Sequence, residues 1–297
     1  MKKLLILPFC VLLMASCTEE EDLAVLPEAD VPISNSTQQT ASEQCFSTNW
    51  CLLDGAANDV GSNSNGALWI IGTTSVGGGY NIYNRNFGNN TWTRVAGGAI
   101  AIDVDLNGIP WIVNNGGSIY RFTSSNTWER MPGSARDIGI GDDGSVWIIG
   151  TTKRSGGYNI YRWDPVSRNW RASSGSGVRI SVDNRGVPWV VNDEGKIFRR
   201  NSPDITIGNG WTRLPGEAYD IGCGAGRVAI TGRTNGGGAS EGVPIGARIY
   251  YFNGSDWTSA SNSAGGFTID VFSPNEVAVV EPVLPKPFIA RRIWIGR

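Results

Sequence analysis

The stretch "GDDGSVWIIGTTKRSGGYNIYRW" (residues 141–163) decides the fold, because the chain contains a second, closely similar copy of it. The other copy is "SNGALWIIGTTSVGGGYNIYNR" (residues 64–85), and Trp69 and Trp147 are 78 residues apart. Each copy holds a Gly-rich turn, an apolar segment that opens on Trp, a long Gly-rich loop and a second segment around Asn-Ile-Tyr. Short apolar segments between such turns are typical of β-hairpins. The chain is therefore a repeat of β-structure.

The same unit recurs in other versions, with a period of about 42 residues. In four units a strand opens on Trp: Trp69, Trp111, Trp147 and Trp189. In five units a later strand carries a second Trp: Trp92, Trp128, Trp170, Trp211 and Trp257. Such strands predict an all-β fold, a six-bladed β-propeller of four-stranded blades. We expect the indoles to fill the space between adjacent sheets.

The two ends of the repeat region complement each other. "TNWCLLDGAANDVG" (residues 48–61) aligns with "NTWERMPGSARDIG" (residues 126–139), so this region starts on the last strand of a unit. The final unit supplies "FTIDVF", "EVAVVE" and "FIARRIWI" but no fourth strand. We predict that the N-terminal strand around Trp50 completes this blade and closes the ring, which leaves no exposed sheet edge.

The N-terminal segment reads as a targeting signal. Lys2 and Lys3 precede an apolar run that is too short to span a membrane, as in a signal peptide. The run ends in "LMASC", which resembles the bacterial lipobox and implies cleavage before Cys17 and its acylation. The domains are then a signal peptide (1–16), a flexible tether (17–44) and a propeller (45–297). "EEED" (19–22) is similar to the export signal of Bacteroides-type lipoproteins, which implies a lipid-anchored protein at the surface of the outer membrane.

Composition excludes several function classes. The net charge is −2, so no electrostatic field attracts nucleic acid, and the chain has no His, which removes histidine-based triads and zinc sites. No metal site and no cofactor are expected. Of the cysteines that remain after processing, we expect Cys45 and Cys51 to form a disulfide and Cys223 to be a buried thiol.

"RDIGIGDDGSVWIIG" (residues 136–150), followed by an Ile-Tyr-Arg segment, resembles the tectonin β-propeller family. The likeness extends over all six units and is weaker in the fifth and sixth, where Ala229 and Ala278 replace the Trp. This resemblance implies a lectin-like role, since tectonin proteins include lectins for bacterial lipopolysaccharide or modified glycans. Others act in protein recognition, so the resemblance leaves the ligand open.

Alternate units differ at one face. The odd units have a long loop after the Trp strand and begin their inner strand with Asp, where the even units have Ala101, Arg179 and Thr268. A Tyr ring beside carboxylates suits sugar binding, and Lys153 and Arg154 would favour an acidic glycan. The predicted ligand-binding residues of this loop face are Arg136, Asp137, Lys153, Arg154, Tyr158, Asp59, Tyr80, Tyr219, Asp220 and Arg233.

The leading hypothesis is a monomeric, non-catalytic, surface-anchored module that binds a glycan or a lipopolysaccharide-like ligand and meets the membrane only through its lipid. One alternative is a platform for other envelope proteins. Another is a glycan-cleaving enzyme, with carboxylates such as Asp59 and Asp137 as a pair. A purely structural role also stays open, because Asp commonly caps turns.

Overall fold

A computed structural model describes residues 44–45, 50–207, 210–233, 247–260, 268–273, 276–282 and 291–296. The predicted signal peptide, the lipidation site Cys17 and the tether up to residue 43 lie outside these residues. In the part of the chain that the structure describes, all regular structure is strand, and no helix there could cross a membrane.

Within the described residues the strands are, in chain order, β1 (Gln44–Cys45), β2 (Trp50–Leu53), β3 (Ala57–Ser62), β4 (Leu68–Val76), β5 (Gly79–Asn86), β6 (Thr91–Ala99), β7 (Ala101–Val104), β8 (Pro110–Val113), β9 (Ser118–Phe122), β10 (Trp128–Ser134), β11 (Asp137–Ile140), β12 (Val146–Arg154), β13 (Gly157–Asp164), β14 (Asn169–Gly177), β15 (Arg179–Val182), β16 (Pro188–Val191), β17 (Lys196–Arg200), β18 (Trp211–Gly224), β19 (Arg227–Arg233), β20 (Ala247–Phe252), β21 (Trp257–Ser259), β22 (Thr268–Ser273), β23 (Glu276–Pro282) and β24 (Arg291–Gly296).

The strands form antiparallel sheets that follow the chain order. β3–β6, β7–β10 and β11–β14 are four-stranded sheets. β18 serves two sheets, because its first part pairs with β17 and its second part with β19. β15–β18 and β18–β21 thus repeat the same arrangement. A four-stranded antiparallel sheet is the unit that the sequence predicts for each blade.

The last sheet contains both ends of the repeat region. Its strand order is β22-β23-β24-β2-β1, and Trp50 of β2 lies opposite Gly296 of β24. The N-terminal strand therefore pairs with the final unit, where the sequence predicts it. Cys45 lies opposite Cys51 in the backbone register of β1 and β2. The side chains of both cysteines lie outside the described part, so their disulfide stays a prediction, whereas Cys223 is buried as expected.

The long loops of the first and third units are extended hairpins rather than irregular loops, and the loop of the fifth unit lies outside the described residues. β12 continues to Arg154 and β13 resumes at Gly157, so that only Ser155 and Gly156 turn the chain. Gly156 has a φ of 83°, in the left-handed region that such tight turns need. Lys153 lies opposite Tyr158 on the paired strand. The Gly-rich composition that suggests a loop here instead supplies the turn.

Tryptophan side chains join neighbouring sheets in two ways. The indoles that open the second strands are buried, which confirms the core prediction for Trp69, Trp111, Trp147 and Trp189. The outer-strand indoles are half-buried, and each donates its Nε1–H to a backbone carbonyl of the preceding sheet. These bonds are Trp92 to Asp54 (2.8 Å), Trp128 to Ala96 (2.7 Å), Trp170 to Pro132 (2.6 Å), Trp211 to Ser174 (3.0 Å) and Trp257 to Pro215 (2.9 Å).

The first strands of the sheets lie side by side. β3 contacts β7, β7 contacts β11, β11 contacts β15, β15 contacts β18 and β18 contacts β22. β22 in turn contacts β3. These strands are called the inner strands below, with β18 counted through its second part. These contacts bring the inner strands of successive sheets together, and the candidate site lies at one end of them.

Candidate functional site

The inner strands alternate between two side-chain patterns. At equivalent positions of the repeat, β3, β11 and β18 carry Asp59, Asp137 and Asp220, whereas β7, β15 and β22 carry Ala101, Arg179 and Thr268. Two residues later the pattern is reversed: β3, β11 and β18 have Gly, and β7, β15 and β22 have a polar residue. Gly61, Gly139 and Gly222 stand in the first set, and Asp103, Ser181 and Asp270 in the second.

The first set of carboxylates holds the inner strand of the next sheet. The Oδ2 atoms of Asp59, Asp137 and Asp220 accept hydrogen bonds from the backbone N–H groups of Ile102 (3.0 Å), Ile180 (2.9 Å) and Ile269 (3.0 Å). A buried N–H group without a partner costs about 1–3 kcal/mol, so each bond stabilises the junction of two sheets. The predicted ligand-binding carboxylates thus have a structural task.

The second set continues the same chain of contacts. Asp103 Oδ2 accepts from Ile140 N at 2.6 Å, and Ser181 Oγ accepts from Cys223 N at 2.9 Å. Asp270 Oδ2 accepts from both the backbone N (2.6 Å) and the hydroxyl (2.8 Å) of Ser62. Every inner strand is therefore tied to the next one by a side-chain acceptor, and the last is tied to the first.

Burial controls the protonation of these groups. It raises the pKa of Asp137 to about 6 and that of Asp220 to about 7, against the opposing effect of the Arg179 guanidinium. Burial also raises the pKa of Asp59 well above its ordinary value, and the charges of Asp137 and Asp220 raise it further. All three carboxyl groups interact electrostatically with the Arg179 guanidinium, whose Nε lies 3.6 Å from Asp220 Oδ1. Fewer negative charges therefore lie here at neutral pH than three ordinary Asp residues would supply.

A cavity of about 770 Å³ opens at the end of the inner strands where these Asp residues lie. We call it the mouth. Among its lining residues are Arg136, Tyr158, Arg179, Tyr219 and Arg233. A narrower cavity of about 60 Å³, which contains Asp59, Asp137 and Asp220, shares Asn58, Ile100, Arg179 and Thr268 with it. The mouth therefore leads down to the carboxylates.

Two arginines of the mouth are stacked on its tyrosines. The guanidinium carbon of Arg136 lies 4.0 Å from the centroid of the Tyr158 ring, and that of Arg233 lies 4.9 Å from the Tyr219 ring. Both tyrosines are half-buried. A guanidinium over an aromatic face is held in place while its N–H edges remain directed outward. The mouth thus presents fixed aromatic rings beside fixed hydrogen-bond donors.

The structure brings part of the predicted site together. Arg136, Tyr158, Tyr219 and Arg233 line the mouth, and the three Asp residues lie beneath it. Lys153 and Arg154 are exposed at the tip of the β12–β13 hairpin, outside the described lining of the mouth. Tyr80 lies outside that lining too, although both Tyr80 and Tyr158 pack against a buried apolar cluster. The threefold equivalence of the odd units therefore does not extend to their exposed side chains.

Arg179 lines the mouth but is not among the residues predicted from the sequence to bind a ligand, although the sequence contains a sign of it. It stands where the other even units have Ala101 or Thr268, and a charged residue at an otherwise small or neutral position marks a difference between units. Asn58 occupies the position of Arg136 in the first unit and also lines the mouth. Within the described residues no cluster of three or more acidic or cysteine side chains could hold a metal ion.

The comparisons with known proteins agree with this architecture. A family model for the tectonin domain matches residues 99–232, from the end of β6 into β19. This match supports a tectonin-type fold. No curated protein matches the chain.

Several solved structures are similar to the chain at low identity. A luciferin-regenerating enzyme is 9% identical with a TM-score of 0.53, and the likeness covers 81% of this chain and 92% of that one. YCF48 bound to a D1 peptide is 16% identical (TM-score 0.46; 81% and 78% covered). The extracellular domain of a hybrid two-component system from B. thetaiotaomicron is 13% identical (TM-score 0.47), and the likeness covers 80% of this chain and 33% of that one. Identities this low concern the fold and do not transfer an activity.

Proposed function

We propose that the chain is a closed six-bladed β-propeller whose mouth binds a glycan without cleaving it. The pairing of β2 with β24 and the hydrogen bonds between Asp270 and Ser62 support ring closure. Six inner strands that contact one another in sequence support the blade count.

Glycan binding rests on one observation, the pairing of aromatic rings with guanidinium donors in a cavity large enough for a sugar. Tyr158 and Tyr219 line the mouth, and the ring surface that the stacked guanidinium groups leave uncovered can pack against the C–H face of a pyranose. Arg136 and Arg233 offer N–H groups to hydroxyl oxygens beside those rings. The carboxylates beneath are held by backbone amides, which favours a binding role over a catalytic one.

We expect the full chain to bind a subset of glycans on an array. Removing both mouth rings by Tyr158→Ala with Tyr219→Ala should weaken the binding about tenfold or more, because two packing surfaces of the sugar disappear. Tyr80→Ala is the matched control, since Tyr80 follows the same hairpin in the first unit but lies outside the described mouth lining. Binding that survives in the double variant contradicts the site. An array without any ligand, together with a protein captured by surface cross-linking, would instead favour the protein-platform alternative.

We further propose that Cys17 carries a lipid that anchors the chain to the outer membrane at the cell surface. The apolar run before it and the "LMASC" segment (residues 13–17) support this proposal. Cys17→Ala should move the chain from the membrane fraction to the soluble fraction and abolish labelling with a radioactive fatty acid. A Cys10→Ala variant, which changes a cysteine within the signal peptide, should leave both unchanged. Equal membrane association of the two variants would overturn the lipid anchor.

A further inference from the structure

Three arginines from consecutive repeat units converge on the mouth. Arg136 directly precedes β11, Arg179 begins β15 and Arg233 ends β19, and all three line the same cavity. They lie far apart in the chain, and only the stacking of the sheets brings them together. Three guanidinium groups around one opening form a surface of concentrated positive charge, although the whole chain carries a net charge of −2.

The pairing of these arginines leaves charge available to a ligand. Arg179 forms an ion pair with Asp220. In the described part of the chain, Arg136 and Arg233 form no ion pair; each instead stacks on a tyrosine. The Nε atom of Arg233 is buried and has no hydrogen-bond partner among the described residues. A buried donor without a partner calls for an explanation, and a bound ion or an ordered water is one of them.

We propose that the ligand of the mouth carries an oxyanion, which Arg136, Arg179 and Arg233 bind together. This inference rests on the proposed glycan function and assigns the chemical class of the glycan: an acidic sugar bearing a carboxylate, sulfate or phosphate. Planar guanidinium groups match oxyanions through paired N–H bonds, and such charge-assisted bonds are about twice as strong as neutral ones. Stacking on Tyr158 and Tyr219 orients two of the groups before the ligand arrives.

The acidic groups beneath the mouth oppose an anion only while they are charged. The titratable and charged groups that line the mouth are Arg136, Arg179, Arg233, Tyr158 and Tyr219, and those of the narrower cavity beneath it are Asp59, Asp103, Asp137, Asp220 and Asp270. Burial raises the pKa of Asp137 to about 6 and that of Asp220 to about 7. Protonation between pH 8 and pH 5 therefore removes negative charge and frees Arg179 from its ion pair. An anion of constant charge should bind more tightly as the pH falls through this range.

The test compares charged and neutral probes on the full chain by isothermal titration calorimetry at low ionic strength. The probes are glucuronate, glucose 6-sulfate, glucose 6-phosphate, inorganic sulfate and glucose. We expect the charged sugars to bind at least about tenfold more tightly than glucose, and inorganic sulfate to bind measurably. The three charged sugars identify which oxyanion fits best. Sulfate keeps its charge between pH 8 and pH 5, and its affinity should rise several-fold over that range.

The variants separate the mouth from general charge. Arg136→Ala with Arg233→Ala should weaken binding of the charged sugars about tenfold or more. Lys153→Ala with Arg154→Ala changes the net charge by the same amount. This variant should change the affinity for the charged sugars by less than about twofold. Arg136→Lys with Arg233→Lys retains the charge without the planar guanidinium. Its affinity for the charged sugars should lie between those of the wild type and the Arg136→Ala, Arg233→Ala variant. It also provides the test if the Ala variants do not fold, which circular dichroism would show.

The outcomes also separate this inference from the proposed function. Equal affinity for glucose and glucuronate, or equal losses in the two Ala pairs, would overturn the oxyanion site. If neutral glycans on the array still depend on Tyr158 and Tyr219 in that case, the glycan function stands. If instead sulfate binds through Arg136 and Arg233 but no glycan binds, the oxyanion site stands and the glycan function fails.

Discussion

Gly222→Ala is expected to destabilise the protein by about 3 kcal/mol or more, because the added methyl group has no room. A Cβ atom at Gly222 would lie 2.6 Å from Asp270 Cα and 2.7 Å from Ile269 O. Both are backbone atoms of the neighbouring inner strand, so relief would require two strands to separate. That separation would also lengthen the bond from Ile269 N to Asp220, which is 3.0 Å in the folded protein.

Thermal unfolding followed by circular dichroism measures this effect, and we expect the melting temperature to fall by about 6–12 °C. Gly77→Ala is the control, because a Cβ atom there meets nothing within 4 Å and the turn lies at the surface. Gly139→Ala should resemble Gly222→Ala, since its Cβ atom would lie 2.9 Å from Ser181 Cα. A Gly222→Ala protein that melts at the same temperature as the wild type would show that the inner strands are more widely spaced than these distances indicate.

Asp103→Ala is expected to cost about 2–4 kcal/mol of stability. Asp103 is buried; its Oδ2 atom accepts from Ile140 N at 2.6 Å and its Oδ1 atom from Val104 N at 2.7 Å. Alanine leaves both amide groups in the interior without a partner. Because burial raises the pKa of Asp103, removal of the carboxyl group also removes a desolvation cost, which limits the loss.

Asp103→Ser provides the internal comparison, because Ser181 holds Cys223 N with its hydroxyl at the equivalent position of another sheet. We expect the serine variant to retain more stability than the alanine variant in urea denaturation. Asp193→Ala, at an exposed position, should change the free energy of unfolding by less than about 0.5 kcal/mol. Equal stability of Asp103→Ala and the wild type would mean that the side-chain links between inner strands contribute little.

The sequence predicted the sheets well, because their determinants are local. Gly-rich turns and apolar segments recur in each unit. Trp147, which opens one of these apolar segments, is buried in the structure as the pattern predicts. The pairing of Trp50 with the last unit also followed, because the two ends share the same repeat. The exposed hairpin tip was less well predicted, since Gly156 makes a tight turn in a stretch whose composition resembles a loop.

The tasks of the Asp residues could not be read from the sequence. Asp137 stands at the start of its strand, a position from which a side chain could also bind a ligand. Its partner is instead the backbone amide of Ile180 in a different sheet, 43 residues further along. The alternation of Asp and Gly was visible as a pattern without its cause. The cause is spacing: Gly139 allows the neighbouring strand to approach closely, whereas Asp103 and Asp270 reach across to it.

The sequence by itself determined the repeat, the strand class, the Trp core and the asymmetry between odd and even units. These depend on residues close together in the chain, whose hydrogen-bonding and packing preferences act within one hairpin or sheet. Only the tertiary structure decided which side chains share the mouth. Arg136, Arg179 and Arg233 belong to different sheets, and their proximity depends on how those sheets stack around the inner strands. The same stacking buried Asp137 and Asp220 and raised the pKa of each, because burial and charge are properties of the assembled fold.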